Sequence, residues 1–222
     1  MHQNNFLPIY NYTTSGEVSN CGGKKELKTI AVIMAGGQSR RMGRDKAQLL
    51  FCGQPLLSYQ IDRWKNIFDD LVISVDYQKR FSWVSCKMIE DKRKGLGPLA
   101  GLEAVMLEAP ADRYFITAVD MPFGCTDLAI KMSENCSNAD VGIIRRFNGR
   151  IEPMFALYSR RCLPYIIQSL DKNEYSFRRG LLRFAKVQEF AEQDMLSYNL
   201  DRILLNTNTV DDWIKISRFQ PN

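Results

Sequence analysis

Residues 29–46 read TIAVIMAGGQSRRMGRDK, and this stretch decides the fold. Thr29–Ala35 is a short apolar run rich in β-branched side chains, closed by Gly36 and Gly37. Such a run before Gly-Gly predicts a buried strand followed by a loop. The loop concentrates positive charge in Arg40, Arg41, Arg44 and Lys46. Its glycines permit tight turns and let main-chain N–H groups approach a ligand closely. Backbone donors beside concentrated positive charge suit a polyphosphate; the alternative is a surface loop whose arginines are merely solvated. The spacing is neither GxGxxG nor GxxxxGK[ST], so neither a dinucleotide-binding motif nor a P-loop ATPase is indicated.

Outward from this stretch the chain alternates between strand and helix patterns. Short strands are predicted over 71–75, 87–89, 114–119, 141–144 and 154–158, with a further one within 184–190. Helical spacing marks 56–65, 99–107, 126–135, 163–170, 177–184 and 210–217. Such alternation argues for an α/β fold, a Rossmann-like three-layer α/β/α sandwich with a mostly parallel sheet. Ligands of such sheets sit beyond the carboxyl ends of the strands. That rule directs attention to residues 36–46, Asp76, residues 91–101 and residues 120–122. Residues 1–28 are rich in Asn, Thr, Ser and Gly without sustained periodicity. They are expected to form a flexible leader, or an arm packing through Phe6, Ile9 and Tyr10, ahead of one domain over 29–222.

Composition narrows the chemistry. The chain has 222 residues, enough for one sizeable core, and a net charge of only +5. The basic residues are spread out, so an anionic small molecule is the expected partner rather than nucleic acid. Its one histidine is His2, which excludes a His-dependent triad or a His-ligated metal site. The cysteines, Cys21, Cys52, Cys86, Cys125, Cys136 and Cys162, are scattered and form no CxxC. They suit a reducing, cytoplasmic setting. No apolar run reaches the roughly 18–20 residues that span a bilayer, so no membrane partner is expected.

The motifs together are more specific. Residues 34–46 resemble LAGGxxxRMGxDK, the signature of the molybdenum cofactor guanylyltransferases, with Met34 in place of the usual Leu and matches at Arg41, Met42, Gly43, Asp45 and Lys46. Ile89-Glu90-Asp91 resembles the family's IxD element, Gly97–Gly101 its GPLAG, Asp120-Met121-Pro122 its DxP and Asn206–Thr209 its NxNT. The family often ends the second strand in Asn, whereas this chain offers Ser74 and Asp76. Asp76 can accept a hydrogen bond but not donate one.

The resemblance implies a nucleotide-diphospho-sugar-transferase-like fold. It also implies transfer of GMP from GTP to molybdopterin, or Mo-molybdopterin, with release of pyrophosphate. GTP contacts are expected at Met34, Ala35, Gly36, Gly37, Arg41, Lys46, Asp76, Asp91, Gly97, Pro98, Leu99 and Asp120. Arg41, Lys46 and Asp120 would be catalytic, with Asp120 holding Mg2+. Arg178, or Arg179, and Asn206 and Asn208 would meet the pterin. The bland reading of Asn206–Thr209 is a turn whose Thr209 caps the last helix, with Asp212 at N3; both can hold together. Molybdoenzymes or cofactor-delivery proteins would be partners, and the expected state is a monomer or weak oligomer. Two competing functions stand beside this one. The first is a cytidylyl or other small-phosphate nucleotidyltransferase, although Ala35-Gly36-Gly37 with GPLAG favours guanine. The second is a non-catalytic nucleotide-binding assembly factor.

Overall fold

The computed structural model describes residues 27–37, 45–207 and 209–217. The expected leader therefore lies outside the described residues except for Leu27 and Lys28; the Lys28 N–H donates to Asp112 Oδ2 at 3.0 Å. Strand β1 (Thr29–Met34) is buried along its whole length, as a parallel strand covered on both faces must be. Successive side chains of a strand point to opposite faces. Ala31 and Ile33 accordingly enter one apolar core, while Ile30, Val32 and Met34 enter another.

A small hairpin follows, β2 (Leu50–Phe51) and β3 (Gln54–Pro55), turned by Cys52 at φ 51° and Gly53 at φ 81°. Two successive positive-φ residues match the twist that a tight hairpin needs. The sequence reading places no strand here because each arm holds only two residues. Helix α1 (Leu56–Trp64) buries Leu57 and Trp64 in the core of Ala31 and Ile33. Strands β4 (Asp70–Val75) and β5 (Lys87–Glu90) extend the parallel sheet on one side of β1. Helix α2 (Pro98–Glu108) covers the opposite face from α1, and Leu99–Met106 are all buried. Pro98 occupies the first turn, where its missing N–H removes no intrahelical bond.

Strand β6 (Arg113–Ala118) flanks β1 on its other side, and α3 (Thr126–Asn135) packs Leu128, Ala129 and Met132 onto the α1 face. Strands β7 (Val141–Arg145) and β8 (Ile151–Ser159) form an antiparallel hairpin. Helix α4 (Leu163–Asp171) lies on the α2 face through Ile166 and Leu170. Strand β9 (Val187–Ala191), the short α5 (Leu200–Ile203) and α6 (Val210–Ser217) complete the described chain.

The main sheet has seven strands in the order β5-β4-β1-β6-β8-β7-β9. Its ladders are parallel except where β8 pairs with β6 and β7. This is the expected three-layer, mostly parallel architecture. β8 begins three residues before the predicted 154, and Pro153 lies where the β7–β8 register shifts. An irregular ladder tolerates a residue without an N–H donor. The helix predicted over 177–184 is a single wide turn, Phe177–Leu181, on which Gly180 lies so close to α4 that a Cβ there would meet Ser169 Oγ at 2.9 Å. At α6 the predicted capping is present: the Asp212 N–H donates to Thr209 Oγ1 at 3.1 Å and the Thr209 N–H to Asp212 Oδ2 at 2.9 Å. Among the described residues no helix is long and apolar enough to cross a membrane.

Candidate active site

Three apolar strands run to the same edge of the sheet and each delivers polar groups there. β1 leads into Ala35-Gly36-Gly37, β4 into Asp76 and β6 into Asp120. Asp91 follows β5 and donates its N–H to Val75 O at 2.9 Å. Together with the entry to α2 they enclose a cavity of about 880 Å3. Of the sequence-predicted residues, Met34, Ala35, Gly36, Gly37, Lys46, Asp76, Asp91, Gly97, Pro98, Asp120 and Asn206 line it.

Two other predicted residues, Leu99 and Arg178, lie elsewhere. Leu99 is fully buried in the core beneath α2, because the helix turns that side chain toward the sheet. Arg178 lines a different cavity of about 900 Å3, shared with Arg145, Lys172, Arg179 and Arg183, because its turn packs beside α4. Arg41 and Asn208 lie outside the described residues.

Gly101 explains the closeness of α2 to the sheet. A Cβ there would meet Ser74 Oγ at 2.5 Å, Met34 Cε at 2.9 Å and Asp91 Oδ1 at 3.1 Å. Asp91 is 8% exposed, and the Ser74 hydroxyl donates to its Oδ1 at 3.3 Å. Burial pushes the Asp91 carboxyl up to about 6; the Ser74 bond works against this and the Asp76 charge adds to it. A carboxylate poised this way can accept two hydrogen bonds from a flat base edge.

At the opposite wall Lys46 Nζ donates to Asp120 Oδ2 at 2.7 Å. The backbone under Asp120 is held from two directions. The Thr207 N–H donates to Asp120 O at 3.1 Å, and the buried Gln60 amide donates to Met121 O at 2.8 Å and to Val119 O at 3.3 Å. Trp64 fixes Gln60 in turn by donating from Nε1 to its Oε1 at 3.1 Å. Asn206 Oδ1 is buried without a hydrogen-bond partner. Such an acceptor costs free energy unless a ligand supplies its donor.

Among the described residues no group of three or more His, Cys, Asp or Glu side chains could hold a metal alone. Asp120 supplies one carboxylate, enough for a hard cation that takes its other ligands from phosphate and water, although Lys46 would have to share or release Oδ2.

Arg80 and Gln60 escape the sequence reading. Arg80 bonds to Asp45 and Gly37, 35 and 43 residues away. Gln60 reaches carbonyls about as remote. No local spacing announces either pairing.

The family described as "MobA-like NTP transferase domain" matches residues 31–210. A protein of Syntrophotalea carbinolica named molybdenum cofactor guanylyltransferase is 31% identical over 194 residues, covering 86% of this chain and 91% of its own. One from Natranaerobius thermophilus, named probable molybdenum cofactor guanylyltransferase, is 34% identical over 190 residues, covering 82% and 91%. The solved structure of molybdopterin-guanine dinucleotide biosynthesis protein A from Archaeoglobus fulgidus is 22% identical and superposes with a TM-score of 0.73, covering 85% of this chain and 96% of that one. The matched segment takes in β1, the cavity and every strand of the sheet, and the chain belongs to the family of MobA-like NTP transferase domains.

Proposed function

We infer that the protein is a molybdenum cofactor guanylyltransferase, joining GMP from GTP to the phosphate of molybdopterin or Mo-molybdopterin with release of pyrophosphate. The observation that carries this reading is the convergence of Gly36 and Gly37, Lys46, Asp91 and Asp120 on one cavity of about 880 Å3, a size suited to a nucleotide. Relatives that share most of the chain at about 30% identity bear that name.

In this reading the guanine edge lies on the Asp91 carboxylate, which accepts from N1–H and the exocyclic amine. Gly36 and Gly37 bring the backbone close to the ribose and phosphates. Lys46 places its ammonium beside the transferred phosphoryl group, and Asp120 would be the protein group that holds Mg2+. Bound there, the ion would offset the charge of the triphosphate and of the leaving pyrophosphate. The molybdopterin phosphate is the nucleophile: its oxygen bonds to the α-phosphorus as the bond to the bridging oxygen of the β-phosphate breaks. A phosphate monoester is already anionic at neutral pH, so no protein general base is required. The residues lining the cavity accordingly include no histidine. Rate enhancement then comes from positioning and charge stabilisation. Asn206, with its unpartnered oxygen, is assigned to the acceptor side. The motif match alone assigns Arg41 to the phosphates with Lys46 and Asn208 to the acceptor with Asn206. Arg178 reaches the pterin phosphate only if the acceptor extends beyond this cavity.

The test follows the label. With molybdopterin and Mg2+, label on the α-phosphorus of GTP should appear in the pterin product, and label on the γ-phosphorus should leave in pyrophosphate. Label moving from the γ-position to the acceptor would make the enzyme a phosphoryl transferase and overturn the reading.

A further inference from the structure

Arg80 lies outside every motif that the family resemblance draws on, yet it occupies the centre of the nucleotide wall. Its side chain is only 7% exposed. Nε donates to Asp45 Oδ2 at 2.9 Å, Nη1 to Asp76 Oδ1 at 2.7 Å and Nη2 to Gly37 O at 3.1 Å. The guanidinium also stands 5.2 Å from the centre of the buried Phe81 ring. Burial opposes its charge, but the bonds from Asp45 and Asp76 outweigh that, and its pKa lies above the ordinary value. It stays a cation.

Two consequences follow from those partners. Gly37 and Asp45 are far apart from Asp76 in the sequence, and one planar fork ties both of them to the end of β4. Asp45 and Asp76 also line the cavity that is to receive a triphosphate. Left without a cation, two carboxylates there would repel the ligand's phosphates.

We propose that Arg80 is a positioning residue for the nucleotide: it neutralises Asp45 and Asp76 and holds Gly37 and Asp45 in place on the cavity wall, without touching the reacting atoms. The proposal rests on the reading of the cavity as a GTP site. Its test is GTP affinity by equilibrium dialysis with Mg2+, alongside KM and kcat, for the wild type, Arg80→Gln, Arg80→Lys, Asp45→Asn and Arg80→Gln/Asp45→Asn.

Arg80→Gln is expected to weaken GTP about tenfold or more, more at low salt than at high, because unscreened charges act furthest there. The loss should fall on KM and leave kcat within about threefold, as for a group acting on binding. The double variant should bind GTP at least about threefold tighter than Arg80→Gln, the coupling expected of groups in contact. Arg80→Lys, which keeps the charge but loses the planar fork, should fall between wild type and Arg80→Gln.

Unchanged affinity in Arg80→Gln, or a double variant no better than the single one at any salt, overturns the proposal. If Arg80→Gln does not fold, Arg80→Lys decides, and GTP affinity there equal to wild type overturns it. A wild type that binds no GTP contradicts the reading of the site instead, so the two failures are distinguishable.

Discussion

If Asp91 reads the base as proposed, it trades stability for recognition. Its carboxyl is held at about 6, against an ordinary value of 3.8, chiefly by burial. Guanine recognition needs the ionised form, so GTP should bind more weakly as pH falls through about 6. The sign for stability is opposite. The fold disfavours the charged carboxylate, so the penalty is absent below the ordinary value and fully present above about 6. Asp91→Asn keeps a group for Ser74 to bond but removes the charge. It should lose GTP affinity tenfold or more, about the cost of one charged hydrogen-bonding group. The same variant should gain about 1–3 kcal/mol of stability at pH 8 and nothing near pH 4. Paired titration of affinity and thermal midpoint checks both; a variant that binds GTP normally removes Asp91 from the base site. Asp76 and Asp120 are legible in the sequence because each ends an apolar run, whereas Asp91, preceded by Glu90, is legible only through its resemblance to the IxD element. Arg80 and Gln60 are not legible, because beside one local partner each, Asp76 and Trp64, the groups they bond lie 35 to 61 residues away.

Among the elements, α2 depends most on a single missing atom. Its entry Gly97-Pro98 and its glycine at 101 are visible as a motif, but the reason for Gly101 is tertiary: the helix lies on Ser74, Met34 and Asp91 without room for a methyl group. Gly101→Ala should cost about 1–3 kcal/mol, the usual range for overpacking a tight contact. It should cost less in a Ser74→Ala background, where the nearest atom is gone. Thermal unfolding of the wild type, the two single variants and the double variant checks this. A Gly101→Ala protein as stable as wild type would mean that α2 sits further from the sheet. Long periodic helices such as Thr126–Asn135 are legible in the sequence with their bounds. The hairpin Leu50–Pro55 and the helix Leu200–Ile203 are not, because two to four residues carry no period. The turn at Phe177–Leu181 has an apolar spacing that suggests a helix, but close packing against Ser169 holds it to one wide turn.

At the scale of the molecule, β1 organises everything else. Its alternate side chains feed two cores, one under α1 and α3 and the other under α2 and α4. Its carboxyl end opens the cavity. The parallel half of the sheet follows from strand–helix alternation, but the direction of β8 does not. The clue is the length of the link from β7, residues 146–150: a parallel crossover needs about a dozen residues or more, so this link can only turn a hairpin. The antiparallel β8 leaves Met154 on the cavity wall that already holds Asp120 and Asn206. The groups proposed to face the nucleotide and the acceptor thus line one cavity.

The central claim is that this site transfers GMP to molybdopterin. Pyrophosphate release by the purified protein with Mg2+, measured with each of the four nucleoside triphosphates and with or without molybdopterin, tests it most directly. The account predicts release that requires GTP and molybdopterin together. Release with CTP in place of GTP, or none with any nucleotide from folded protein, would contradict it.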